Sequence, residues 1–588
     1  MSILIKTIRV SGLRGLQNIE VELEPVTVLT GMNNTGKTSF LKAIQIALGN
    51  KQFITQDDFY VSDSDSADRI IVDVKIVPVG EEEQICDDFD ADWEVLFTID
   101  RITIDTEGKS FIPLRTIITY DEIRATHKST QYILPDWPPF EDDHQLPWHQ
   151  TENGKEKIFN CDAVPFFYMD AQRDILEDMK VRNSYLGRMI SEIKYSKKDV
   201  EKIEKQIKKL NEQAVSNSDI LSNIEATLKE LDTAMDTSSE GVEITPFTKK
   251  VRDLNKGLSI YYKDRKDSFP MEYHGMGTRS WSSLLTLKSF INLRDKKAVK
   301  KQTPFFPILA IEEPEAHLHP NAQKKLYSQI ESIKGQKIIS THSPYIAASA
   351  KLSQIRNLYN DDVAIACGSI NTEKLSPEEI RKINRQVINT RGEIFFSKVI
   401  VFFEGDTEEQ ALPIFAKKYF DKNHVELGID FVGVGGYGDY LPFLRVAEGL
   451  KIPWLIFSDA EQDIKTSVKK QFSELNSSKL EKDAIVFLTD YNSYEKQLIS
   501  DGYNEEVRKS IIKMEIPKCK NTQHVAAKQK EIASYDDAKL YEIINGSKTQ
   551  YGPVIAETII ESNKPLPPKV TELFEKIKSL LEWRNQDE

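Results

Sequence analysis

Cysteine is scarce. The four in this 588-residue chain, Cys86, Cys161, Cys367 and Cys519, lie far apart and form no C-x-x-C pair. That excludes a disulfide framework and fits reduced thiols in a cytoplasmic protein. No apolar run approaches the ~18 residues that cross a bilayer, so no membrane partner is expected. The opening Met1-Ser2-Ile3-Leu4-Ile5-Lys6 lacks the apolar core and cleavage site of a signal peptide. Surplus positive charge is also missing. A net charge of −14 argues against a uniformly basic coat for nucleic acid, though not against a local basic groove. What remains, 40% hydrophobic and 29% charged, is the balance of an ordinary soluble protein long enough for three or four domains.

Acidic strand ends stand out against this background. Val399 to Phe403 reads as a buried strand that runs into Glu404-Gly405-Asp406-Thr407-Glu408, with a helix starting near Thr407. A second apolar run, Pro453 to Phe457, ends in Ser458-Asp459-Ala460-Glu461. Open parallel sheets place their chemistry at carboxyl ends of strands. Carboxylates crowded there repel one another unless a divalent cation lies among them. Glu404, Glu408, Asp459 and Glu461 are therefore the candidate metal ligands, with Asp406 behind them.

The amino-terminal half carries phosphate-binding signals. The strand Pro25 to Thr30 leads into Gly31-Met32-Asn33-Asn34-Thr35-Gly36-Lys37-Thr38, and a helix follows from Ser39 to Leu48. This is G-x-x-x-x-G-K-T with both flanks correct. Its backbone N–H groups close on phosphates, Lys37 reaches the β/γ-phosphates, and the Thr38 hydroxyl holds Mg²⁺. Gly31, Asn34, Gly36, Lys37, Thr38 and Ser39 are the candidate nucleotide contacts. A buried strand, Pro307 to Ile311, ends in Glu312-Glu313-Pro314-Glu315, where one acid orients a metal and Glu313 can polarise an attacking water. Lys337 to Ser340 is a further strand ending in Thr341-His342-Ser343-Pro344, which lets His342 reach a γ-phosphate. Gln172 follows the strand Val164 to Met169 and is a candidate contact to the nucleotide's metal. Gly275-Met276-Gly277 opens the helix Trp281 to Asn292, and Arg294 to Lys301 is expected as a basic loop. Val72 to Val77, Trp93 to Ile99 and Ser110 to Tyr120 are expected as strands. Val200, Ile203, Ile207 and Leu210, then Ile224, Leu228, Leu231 and Met235, mark two amphipathic helices that form a hairpin.

This ordered set resembles the ATP-binding-cassette ATPases of SMC and RecF type, with Lys37 in Walker A, Gly275 to Ser280 in the signature position, Glu312-Glu313 in Walker B and His342 in the switch position. The closer resemblance is to the OLD (overcoming lysogenization defect) family, through E-E-P-E-x-x-L-H-P and T-H-S-P, and with it to the Gabija nuclease subunit and retron-associated OLD effectors. It implies an α/β chain: an ABC/SMC-like ATPase in two parts (1–178 and 265–352) around an inserted helical dimerisation segment (179–264), a linker (353–392), then a Toprim domain (393–588). It also implies that Glu404 belongs to the first Toprim motif and Asp459 with Glu461 to the second, where Asp-x-Asp is usual. Glu495 is then a further ligand and Lys548 a catalytic cation. The implied cofactors are two Mg²⁺ or Mn²⁺ ions at the nuclease site and ATP with Mg²⁺. The implied partners are double-stranded DNA and other copies of the chain, as a homodimer or homotetramer. A helicase subunit, as in Gabija, or a retron reverse transcriptase with its RNA–DNA product is the implied companion. The expected function is a nucleotide-regulated DNA endonuclease of anti-phage defence. The alternative is a RecF/SMC-like DNA-binding repair protein without nuclease activity. A topoisomerase or primase is a weaker fit, since neither a DNA-gate tyrosine domain nor a zinc motif is present.

Overall fold

The computed structural model describes residues 2–48, 54–61, 67–80, 83–121, 126–140, 146–157, 159, 162–181, 184–191, 196–222, 224, 261–264, 267–361, 364–388, 391–489 and 491–585. They form two compact units. The first comprises 1–168, 306–315 and 320–588, the second 169–305 and 316–319.

The first unit holds three sheets. The amino-terminal strand Ser2–Leu13 lies between Leu16–Glu22 and Arg69–Val79 in an antiparallel sheet that continues through Ser110–Asp121, Thr126–Ile133 and Lys155–Glu156. Asp73 and Arg115 face each other across two strands, fully buried, with paired bonds of 2.8 and 2.7 Å. Arg115 also donates to the Trp148 carbonyl at 2.7 Å, so neither charge is left unpaired in the apolar layer.

The second sheet has the order Ala364–Ser369, Ile355–Asp361, Val26–Thr30, Gln336–Ser340, Ile308–Glu312, Phe166–Met169. Its parallel centre is buried on both faces, so Val26–Thr30 and Ile308–Glu312 read as largely apolar runs, while Gln336–Ser340 buries Gln336, Lys337 and Ser340 beside Ile338 and Ile339. The Gln336 amide bonds both the N–H and the C=O of Ile5 at 2.9 Å, tying this sheet to the first. The P-loop helix, Lys37–Ala47, buries Phe40, Leu41, Ile44 and Ile46 in the core between the two.

Three expectations are corrected here. Residues 93–99 are not a strand: Ala91–Phe97 is a helix, capped by the Asp90 side chain, which accepts from the Trp93 N–H. Trp93 and Phe97, four residues apart, share the buried face and stack at 5.1 Å, a helical period that an alternating reading misses. The basic stretch Arg294 to Lys301 is not a loop but the end of a helix running from Met276 to Lys301. No glycine or proline interrupts the stretch from Thr278 to Lys301, and Gln302 terminates it in the left-handed region. The expected linker is in its first half part of the ATPase, because Ile355–Asp361 pairs in parallel with Val26–Thr30 and Ala364–Ser369 returns beside it.

The third sheet is wholly parallel, in the order Ile429–Gly433, Val399–Phe403, Trp454–Ser458, Ile485–Phe487. The first strand in sequence is interior, and the chain passes to one side of it and then the other. A topological switch point therefore lies between Val399–Phe403 and Trp454–Ser458, at their carboxyl ends. Helices from Tyr494 to Asn585 pack on this sheet and share its core, through Val507, Ile511, Ile555, Ile559 and Phe574.

The second unit contains the helices Ile175–Lys180, Tyr185–Ser191, Lys197–Ser216 and Met276–Lys301, and a hairpin of Tyr261–Asp264 with Asp267–Pro270. Arg279 pairs with Asp174, and Ser283 bonds Asp178, fastening the long helix to the first short one. This unit is wider than the 179–264 expected for the insertion, since the helix that opens at the signature position packs within it. The second amphipathic helix expected, 224–235, lies outside the described residues apart from Ile224. No helix among the described residues is long and apolar enough to cross a membrane.

Candidate active site and nucleotide site

Every residue of the strand Val399–Phe403 is buried, and Glu404 follows directly at the switch point. A helix, Asp406–Phe420, starts two residues later. A Cβ on Gly405 between them would lie 2.4 Å from Glu408 Oε2, which folds back over the start of the helix, so a larger residue there would displace that carboxylate. Glu408 is 4% exposed. Burial pushes its carboxyl well above the usual range, and the charges of Asp459 and Glu495 push the same way. Asp459, one residue past Trp454–Ser458, is pushed up to about 7 by burial, then by Glu404 and Glu495. Its Oδ1 is buried and has no hydrogen-bond partner. Glu404 is also raised, by burial first, while donors from Ser458 at 2.5 Å and Tyr440 at 2.9 Å oppose the shift.

Glu495 is 2% exposed on the helix Tyr494–Ser500 and accepts from the Thr407 hydroxyl at 2.6 Å. The Lys548 ammonium lies 3.3 Å from it, at the first residue of the helix Lys548–Glu561. Glu461 is half-buried, and its charge acts on both Glu404 and Asp459. Asp406 is exposed on the first turn of its helix.

Buried carboxylates that raise one another's proton affinity, one with an orphaned oxygen, form an all-oxygen donor set suited to a hard divalent cation. Among the described residues, no three His, Cys, Asp or Glu side chains stand in a ligating arrangement.

The nucleotide elements meet at the parallel centre of the second sheet. Gly36 has φ 79°, in the left-handed region, and turns the loop into the helix beginning at Lys37. Lys37 is buried, and its ammonium donates to the carbonyls of Gly31 at 2.8 Å and Met32 at 2.5 Å. Burial lowers it to about 8 against the pull of Glu313 and Glu315. The Thr38 hydroxyl donates to Glu312 Oε1, so the two groups that share a magnesium ion in P-loop ATPases already face each other. Tyr168 holds the other oxygen of Glu312 at 2.5 Å. Glu315 accepts from the Thr341 hydroxyl and the His342 N–H, both at 2.7 Å. His342 Nε2 lies 3.8 Å from Glu313 Oε1, and burial lowers the ring to about 4, with Lys37 adding to the effect.

Two family models match. An AAA ATPase domain matches residues 4–134 and 153–347. The overcoming lysogenization defect protein-like TOPRIM domain matches residues 395–460. The OLD nuclease of Thermus scotoductus is 23% identical over 78% of this chain and 82% of its own length. Endonuclease GajA of Bacillus cereus is 22% identical over 78% of this chain and 74% of its own length. The C-terminal region of the Xanthomonas campestris pv. campestris OLD protein is 21% identical at a TM-score of 0.27, covering 33% of this chain and 99% of that one. The chain belongs to the OLD nuclease family.

In this OLD-family chain the acids expected at the Toprim site fall into two groups. Glu404, Glu408, Asp459, Glu461, Glu495 and Lys548 act on one another electrostatically, whereas Asp406 stays at the surface. Gly31, Asn34, Gly36, Lys37, Thr38, Ser39, Glu312, Glu313 and His342 lie in the first unit. Gln172 is exposed in the second, and Gly277, half-buried there, is a position where a Cβ would lie 2.5 Å from the His317 carbonyl. Sequence reasoning missed Thr407, Tyr440, Ser458 and Tyr168. Thr407 and Ser458 stand beside acids already singled out, so adjacency was an available signal. Tyr440 and Tyr168 are aromatic residues of separate apolar segments and carry none.

Proposed function

We propose that this OLD-family nuclease is a divalent-metal-dependent DNA endonuclease, with a Toprim site that cuts duplex DNA and a nucleotide site that regulates the cut. The observation that carries the reading is the gathering of Glu404, Glu408 and Asp459 at the switch point, each with its proton affinity raised by burial and by its neighbours. Two Mg²⁺ or Mn²⁺ ions held there would supply an activated water and a stabilised leaving oxygen for in-line displacement at a phosphodiester. Glu404, Glu408, Asp459 and Glu461 would hold these ions in the proposal, with Glu404, Glu408 and Asp459 giving up the protons that burial favours on them. Glu495 orients Lys548, and the ammonium offsets the charge that builds on the phosphate.

Regulation is supported by a contact between the two sites' supporting segments. The His342 ring stacks on Phe396, with centroids 6.2 Å apart. Met32, Asn33, His342, Pro344, Glu393 and Phe396 line a shared cavity of about 390 Å³. The short 3-10 helix Gly392–Phe396 leads within three residues into Val399–Phe403, the strand that ends at Glu404. In the proposal, a γ-phosphate contacting His342 would act through Phe396 on the segment that leads to Glu404. The likeness to endonuclease GajA supports a role in anti-phage defence. The proposal includes self-association as a homodimer or homotetramer, with a helicase or a reverse transcriptase with its RNA–DNA product as companion.

Nicking of supercoiled plasmid tests the reading. Glu404→Ala should abolish nicking in Mg²⁺ and Mn²⁺ while leaving ATP binding intact. Undiminished cutting removes the site assignment. ATP-dependent DNA binding by the wild type without cleavage in any divalent metal would favour the repair-protein alternative.

A further inference from the structure

We infer that Tyr440 is a positioning residue of the nuclease site, holding one oxygen of Glu404 so that the other is presented to a divalent cation. The inference rests on the nuclease reading above. Tyr440 is fully buried, and a buried phenol hydroxyl needs a partner. Its partner is Glu404 Oε1, at 2.9 Å and 36 residues away in the chain. The Ser458 hydroxyl donates to the same atom at 2.5 Å. Both protein donors therefore fall on Oε1, and Oε2 is left for an ion. A carboxylate free to turn about its last bond would offer either oxygen and lose that preference on binding.

Tyr440 is itself held in place. It opens the helix Tyr440–Gly449, and the buried amide of Gln471 clamps both sides of it. Gln471 accepts from the Leu441 N–H at 3.0 Å and donates to the Tyr437 carbonyl at 2.7 Å. Gln471 lies on Gln462–Leu475, the helix that follows the second acidic motif. The donor is thus held by the helix that directly follows Asp459 and Glu461. Removing a donor of this kind behind a metal ligand commonly costs 10–100-fold in metal affinity.

The test is calorimetric titration of the full chain with MnCl₂, paired with plasmid nicking across the same Mn²⁺ series. Tyr440→Phe removes only the hydroxyl. It should weaken Mn²⁺ binding by about 10–100-fold, while nicking at saturating Mn²⁺ recovers to near the wild-type rate. Ser458→Ala, which removes the other donor, should shift the titration in the same direction and serves if Tyr440→Phe misfolds. Unchanged Mn²⁺ affinity in both variants overturns the inference, as does a nicking rate that stays low at saturating metal. Equal Mn²⁺ binding by wild type and Glu404→Ala would remove the nuclease reading itself.

Discussion

The acid cluster makes the Toprim sheet less stable as pH rises, and Asp459 alone gives a lower bound on the effect. Its carboxyl is pushed from an ordinary 3.8 to about 7. With the folded value above the unfolded one, the unfolded chain releases its proton first. The associated stability is therefore complete below about pH 4 and is lost as pH rises through about pH 7. Between about pH 5 and about pH 8 this one carboxyl removes about 2–3 kcal/mol. Glu404 and Glu408, raised as well, act with the same sign. In amide hydrogen exchange that loss is about two decades of protection for strands that exchange by opening this sheet. The assay is exchange of the full chain in chelator, reading peptides that cover Val399–Phe403 and Trp454–Ser458 after correction for the intrinsic rate. Wild-type protection should fall across the window. Asp459→Asn should make the fall shallower, leaving the part due to Glu404 and Glu408, and be the better protected of the two at the alkaline end. Excess Mg²⁺ should restore the wild type most at high pH, where the ligands are already ionised. A flat wild-type profile, or protection that rises with pH, would refute the picture of buried acids held together without compensation.

Other outcomes follow from the same geometry. Phe396→Ala removes the ring that stacks on His342, so the ratio of nicking rates with and without ATP should collapse toward one while each site still binds its ligand. An unchanged ratio in paired nicking assays would mean that coupling does not pass through this ring. Asp73→Ala leaves the Arg115 guanidinium buried without its carboxylate. The amino-terminal sheet should lose about 3–5 kcal/mol, measurable as a fall in the denaturant midpoint of its unfolding, and Arg115→Met with Asp73→Ala together should recover much of that loss.

Much of the fold could be read from contiguous residues. Ile308–Glu312, Val399–Phe403 and Trp454–Ser458 are buried along their whole length, so each is written as an apolar run with acids at or directly after its end, and Val26–Thr30 leads straight into the Gly31 loop. Segments whose period was short or mixed went astray. Ala91–Phe97 spends only Trp93 and Phe97 on its buried face, too few to mark a helix. The strands Ile355–Asp361 and Ala364–Ser369 are polar enough to pass for a linker, because the second is an edge strand with only one neighbour.

The sequence by itself determined the chemistry of each site: a glycine loop with Lys37 and Thr38, and carboxylates at two strand ends. These depend on spacings of a few residues, which local backbone geometry enforces. Tertiary structure decided how distant side chains complete them. Glu495 reaches Thr407 across 88 positions and Tyr440 reaches Glu404 across 36. Lys548 arrives on a helix that packs against Asp406–Phe420 through the close approach of Gly552 to the Thr407 backbone. Contacts of that reach are set by how helices pack onto the sheet, where burial drives association without regard to distance along the chain.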